Sequence, residues 1–106
     1  MLPTNRTPVH PGQILRNRFL RPLQLSQRQA AELCGFNQHR TINEICNAKR
    51  SVTPETALIF AKAFNTSPEF WLNLQRNYDL WHAMHSRGIA KRLENVETAD
   101  VARLAA

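Results

Sequence analysis

The chain has 106 residues, 42% hydrophobic and 21% charged, which leaves room for one domain, 1–106, whose core needs neither disulfide nor metal. No run of about 18 apolar residues occurs, which excludes a membrane-spanning helix, and Met1-Leu2-Pro3-Thr4-Asn5-Arg6 carries no apolar signal core, so the expected compartment is the cytoplasm. The net charge of +6 lies entirely in residues 1–50, where eight cations face two anions, while residues 51–106 balance; a basic half of this kind is either a surface for a polyanion or a solvated basic face.

Glycine is scarce, strand-like alternation is absent, and helix start signals recur. His10-Pro11 opens a first helix with Ile14, Leu15 and Phe19 on one face, and Pro22 ends it. Ser26 with Gln29 forms a capping box for a second helix containing Ala30, Ala31, Leu33 and Cys34, and Gly35 ends it. A third helix is expected over 37–47, capped by Asn37, with Ile42, Ile45 and Cys46 facing inward. Thr53-Pro54-Glu55 starts a fourth, whose core side reads Ala57, Leu58, Ala61 and Phe64, and Asn65 ends it. Ser67-Pro68-Glu69 repeats the signal for a fifth that runs toward His85 and stops at Gly88. The segment from Ile89 through Asp100-Val101-Ala102-Arg103-Leu104 reads as a short helix or a loose tail. Cys34 and Cys46, inside apolar helical patterns, read as small buried hydrophobes.

Helices two and three, joined by Gly35-Phe36-Asn37, have the spacing of a helix-turn-helix, in which the second helix enters the major groove. An ordinary helical hairpin is the alternative. The outer side chains of the third helix favour DNA: Gln38, His39, Arg40, Thr41, Asn43 and Glu44 carry the groups that read base edges. Arg40 and Glu44, four apart, can equally form a plain surface ion pair. Gln27, Asn47, Lys49 and Arg50 are placed to touch phosphate.

Leu25-Ser26-Gln27, Ala31, Gly35 and Ile42-Asn43-Glu44-Ile45 through Lys49-Arg50 resemble the phage-repressor-like (XRE) helix-turn-helix family. His10-Pro11-Gly12, Val52-Thr53-Pro54-Glu55 and Thr66-Ser67-Pro68-Glu69-Phe70-Trp71-Leu72-Asn73-Leu74-Gln75 resemble its HigA-type (VapI) antitoxins, over about residues 8–86. The resemblance implies an all-α, five-helix, lambda-repressor-like domain with a short C-terminal tail over 87–106. It implies a sequence-specific antitoxin of a type II toxin-antitoxin system, which binds double-stranded DNA at an inverted-repeat operator as a homodimer. It also implies that the antitoxin represses its own operon and neutralises a HigB-type mRNA-cleaving toxin. A helix-turn-helix regulator without a toxin is the alternative. This chain is one residue longer than the commonest spacing between Gly35 and Ile42, and Ala48 and Asn65 stand where the family often has glycine.

The fifth helix has more apolar residues than one face buries. Trp71, Leu74, Tyr78 and Trp81 form the core stripe, and Phe70, Leu80 and Met84 fall partly outside it as a dimer or partner surface, unless the first helix or the tail covers them. His82 and His85 with Asp79 have a spacing that could bind metal, but no further ligand pair accompanies them, so surface histidines are expected, with no metal, no cofactor and no catalytic residue. A pure protein-interaction module remains the rival, although it has no need of base-reading side chains on the third helix.

Overall fold

The computed structural model describes residues 6–100 and residue 102, and among them every regular element is helical. The order is α1 (Pro11–Ile14, continuing as a π-helical stretch, Leu15–Leu20), α2 (Gln27–Leu33), α3 (Arg40–Cys46), α4 (Pro54–Phe64), α5 (Pro68–Met84) and α6 (Ile89–Glu94). Part of the expected tail is therefore a sixth helix, entered through Gly88 at φ 85° and burying no residue. Val101, Arg103 and Leu104 lie outside the described residues.

The local start signals work as their chemistry requires. Ser26 and Gln29 form the reciprocal capping box, and the hydroxyls of Thr53 and Ser67 accept from the backbone N–H of Thr56 and Phe70. At α1 the cap is an imidazole: His10 Nδ1 accepts from Gly12 N–H at 2.9 Å. Burial pushes the His10 pKa down, while nearby Asp79 pulls it up. The neutral ring is the form able to cap.

The π-helical stretch has a packing reason. Leu15 and Leu20 are both buried, yet at 3.6 residues per turn they would stand about 140° apart. Winding with i→i+5 bonds, such as Arg21 N–H to Arg16 O at 3.0 Å, brings them toward one side. Trp71, fully buried, is the hub. The rings of Phe60 and Phe19 lie 5.0 and 5.3 Å from it, and its indole N–H donates to Thr66 Oγ1 at 2.7 Å.

One expectation about the core is corrected. Leu58 is 61% exposed, and Phe60 takes the core position, because α4 turns Ala57, Phe60 and Phe64 toward Trp71. Leu33 is also exposed, and it lines a groove of about 440 Å³ with Cys34, Leu58, Ile59, Lys62 and Ala63. Gln75, a polar residue in the core, receives Val52 N–H at 2.8 Å and donates to Asp79 at 2.9 Å, which ties the loop after α3 to α5. Cys46 is buried and Cys34 half-buried, and both are free thiols. Burial pushes Cys34 up to about 11 and raises Cys46, so both stay protonated at neutral pH.

α1 crosses α3 with no side chain between them at Gly12. A Cβ there would stand 1.8 Å from Ile45 O and 2.6 Å from Ile45 C. The obstacle is helix backbone, which cannot turn aside as a side chain can. Gly12→Ala is therefore expected to cost about 3 kcal/mol as the helices are forced apart. Urea unfolding checks this, and a loss under about 0.5 kcal/mol would refute the close crossing.

Candidate nucleic-acid interface

α2 and α3 pack through Ala30, Ala31, Ile42 and Ile45, all buried, which leaves the other side of α3 to solvent. The turn between them differs from expectation. Asn37 caps nothing: α3 begins at Arg40, and its N-cap, His39, makes no side-chain cap bond. The cause lies upstream. Gly35, at φ 76°, closes α2 by donating to Glu32 O, and Phe36 N–H reaches back to Ala31 O at 2.9 Å. Phe36 is thereby drawn against the core, and residues 37–39 are used to span the step to α3.

Of the expected base-reading residues, Gln38 and His39 thus lie in the connection, exposed, lining a groove of about 360 Å³ with Arg28 and Arg40. Arg40 and Thr41 form the first turn of α3; Arg40 is exposed and Thr41 half-buried. Asn43 and Asn47 point outward. Glu44 is held between two cations: Arg40 Nε donates to it at 3.3 Å and Arg50 Nε at 2.9 Å. Gln27, at the start of α2, accepts from Asn43 Nδ2 at 3.0 Å. Lys49 is exposed beside Arg50 in the loop, and that loop turns through Ala48 at φ 58°. A left-handed alanine costs roughly 1 kcal/mol, and the bonds from Ala48 N–H to Ile45 O and Lys49 N–H to Glu44 O hold it there.

The residues assigned to DNA thus form one continuous surface across the start of α2, the connection, α3 and the loop after it. Arg16 joins this surface without having been foreseen. Its Nη2 donates to Cys46 O at 2.8 Å and to Asn47 Oδ1 at 3.0 Å. Only its basic character on the flank of α1 hinted at a role.

Toward the end of α5, Leu80 and Met84 are exposed, at 45% and 57%. Phe70 is half-buried: its ring lies 5.2 Å from Trp71 and 6.4 Å from Phe19, on the rim of the core. His82 and His85 pack on aromatic rings, His85 stacked on Trp81 at 4.0 Å and His82 against Tyr78 at 4.3 Å.

The hydrogen bond from Arg50 is the main cause holding the Glu44 carboxyl below its ordinary range; that from Arg40 adds less, and burial opposes both. Such a lowered carboxylate stabilises the fold above its ordinary titration range, and the contribution is lost as pH falls through the lowered midpoint. Carboxyl NMR titration should show the Glu44 midpoint rising in Arg50→Ala, and rising less in Arg40→Ala. The reverse order would contradict the geometry.

The comparisons agree with this arrangement. A family model described as "Helix-turn-helix" matches residues 15–71. An uncharacterised HTH-type transcriptional regulator of Haemophilus influenzae is 39% identical over 94 residues, 89% of this chain and 87% of that protein. Among solved structures, an addiction module antidote protein of the HigA family from Coxiella burnetii superposes with a TM-score of 0.79 at 36% identity, covering 89% of this chain and all of the other. The Pseudomonas aeruginosa antitoxin HigA, solved with the higBA promoter, gives 0.76 at 30% identity over 85% of this chain and 96% of the other. With the capping box at Ser26, the turn at Gly35 and the outward face of α3 all in place, the chain belongs to the helix-turn-helix family, in its HigA-type antitoxin branch.

Proposed function

We propose that this chain is a DNA-binding antitoxin that acts by binding, without catalysis. As a homodimer it lays two copies of α3 in the major groove of an inverted-repeat operator and represses its own operon. It also neutralises a HigB-type mRNA-cleaving toxin. The observation that carries the proposal is the outer side of α3. Arg40, Asn43 and Asn47 stand there beside Gln27, Lys49 and Arg50 on the half of the chain that holds all the net charge. The Pseudomonas antitoxin that shares the fold was solved with promoter DNA. Leu80 and Met84, exposed near the end of α5, are the apolar groups offered to the second copy.

A regulator with no toxin is the second reading, favoured by the Haemophilus relative, whose name mentions transcription alone. The two separate on one test. The short gene adjoining this one would be expressed with and without the chain: under the antitoxin reading it arrests growth and the chain relieves the arrest. A harmless neighbour that does not bind the chain leaves the regulator reading. Footprinting should show two symmetric protected blocks about one DNA turn apart, and a monomer both free and on DNA, by light scattering, would contradict the dimer.

Base reading and phosphate contact also separate. Arg40→Ala should lower discrimination between specific and scrambled duplexes by about 1–3 kcal/mol. The surface pair with Glu44 that it breaks contributes little to the fold. Lys49→Ala should weaken all duplexes alike and reduce the dependence of affinity on salt. Titrations at several salt concentrations check both, and equal loss on both duplexes in Arg40→Ala would remove it from the base-reading set.

A further inference from the structure

Three carboxamides on the proposed DNA surface are linked in series, and the series has a direction. Arg16 Nη2 donates to Asn47 Oδ1, Asn47 Nδ2 donates to Asn43 Oδ1 at 3.3 Å, and Asn43 Nδ2 donates to Gln27 Oε1 at 3.0 Å. A carboxamide can be turned end for end at little cost, so its orientation must be imposed by a neighbour with only one kind of hydrogen-bonding group. Arg16 is that neighbour. A guanidinium has donors and no acceptor, so Asn47 must offer it oxygen, and each following amide is set in turn.

We infer that Arg16 is a positioning residue that fixes the donor direction of the recognition surface. The inference rests on the DNA-binding reading above and adds its chemistry. Each of the three carbonyl oxygens accepts one bond along the series, which leaves it a single lone pair. The hydrogens left over are one each on Asn43 Nδ2 and Asn47 Nδ2 and both on Gln27 Nε2, which makes no hydrogen bond among the described residues. The surface therefore presents N–H groups, which fit phosphate oxygens, guanine O6 and N7, and thymine O4. The opposite direction would present carbonyl oxygens, which phosphate repels. Arg16 also donates to Cys46 O at 2.8 Å, a last-turn carbonyl of α3. One side chain of α1 thus fixes both the end of α3 and the orientation of the groups on its outer face, across 30 residues of sequence.

The test uses Arg16→Met, which keeps the stem and deletes the donors, and Arg16→Lys, which keeps a cationic donor. The probes are a duplex drawn from a random-sequence pool by the wild-type protein and its scrambled counterpart. Arg16→Met should narrow the ratio of the two affinities by about tenfold, and Arg16→Lys should restore most of it. A merely structural role would lower the folded fraction and so both affinities together, leaving the ratio unchanged, and an unchanged ratio overturns the inference. Side-chain amide exchange, measured without DNA, gives a second reading. Asn43 and Asn47 should exchange more slowly than Gln27 in the wild type and like Gln27 in Arg16→Met; equal rates in the wild type also overturn the inference. If the wild type prefers no duplex, the DNA reading falls, and the exchange rates still decide whether Arg16 orders the series.

Discussion

The crossing of α1 over α3 at Gly12 is the contact on which the rest of the molecule depends. A missing side chain lets the first turn of α1 rest on the Ile45 carbonyl. The approach brings Arg16, one helical turn later, within reach of Cys46 O and Asn47. The same turn is capped by the buried His10 imidazole, whose ring stands edge-on to Tyr78 at 4.8 Å. α5 therefore holds the cap, the cap holds α1, and α1 holds α3. Hydrophobic burial around Trp71 supplies the non-directional stabilisation, and this sequence of contacts supplies the aim.

α3 is divided lengthwise by that arrangement. Ile42, Ile45 and Cys46 are buried and hold the helix in place. On the opposite side Asn43, Glu44 and Asn47 are bonded to Gln27, to Arg40 and Arg50, and to Arg16. Two kinds of order coexist there. The carboxamides are linked to one another and to α1, whereas Arg40 and Arg50 are drawn to one carboxylate on the surface, where ion pairs are weak and exchange readily. A phosphate or a base edge can compete for those two cations at small cost.

The sequence was legible where structure is decided within four residues. The starts at Ser26, Thr53 and Ser67 each depend on one hydroxyl and one nearby N–H. Asn37 has the same capping chemistry and goes unused, because the Schellman-type closure at Gly35 takes Phe36 back to α2 and moves the start of α3 downstream. Leu58 and Phe60 both suit an apolar helix face, and only the position of Trp71, on another helix, decides between them. Arg16 and Gln75 act on partners 30 and 23 residues away, so no local pattern reveals them. The residues assigned to DNA were chosen as a set by their hydrogen-bonding chemistry, and the fold brings them to one surface. Their division between a connecting loop and a helix was not readable, since it follows from the turn.

The crossing at Gly12 also bears on how such a protein diverges. α3 is located through a backbone carbonyl and an inward apolar stripe, so the locating contacts are indifferent to what Arg40 or Thr41 becomes. Copies of this scaffold can therefore drift toward new operators by exchanging outward side chains while the helix keeps its place. Asn47 is the least free to vary, because the guanidinium from α1 requires an oxygen there. Lineages should accordingly diversify first at the start of α3 and last near its end.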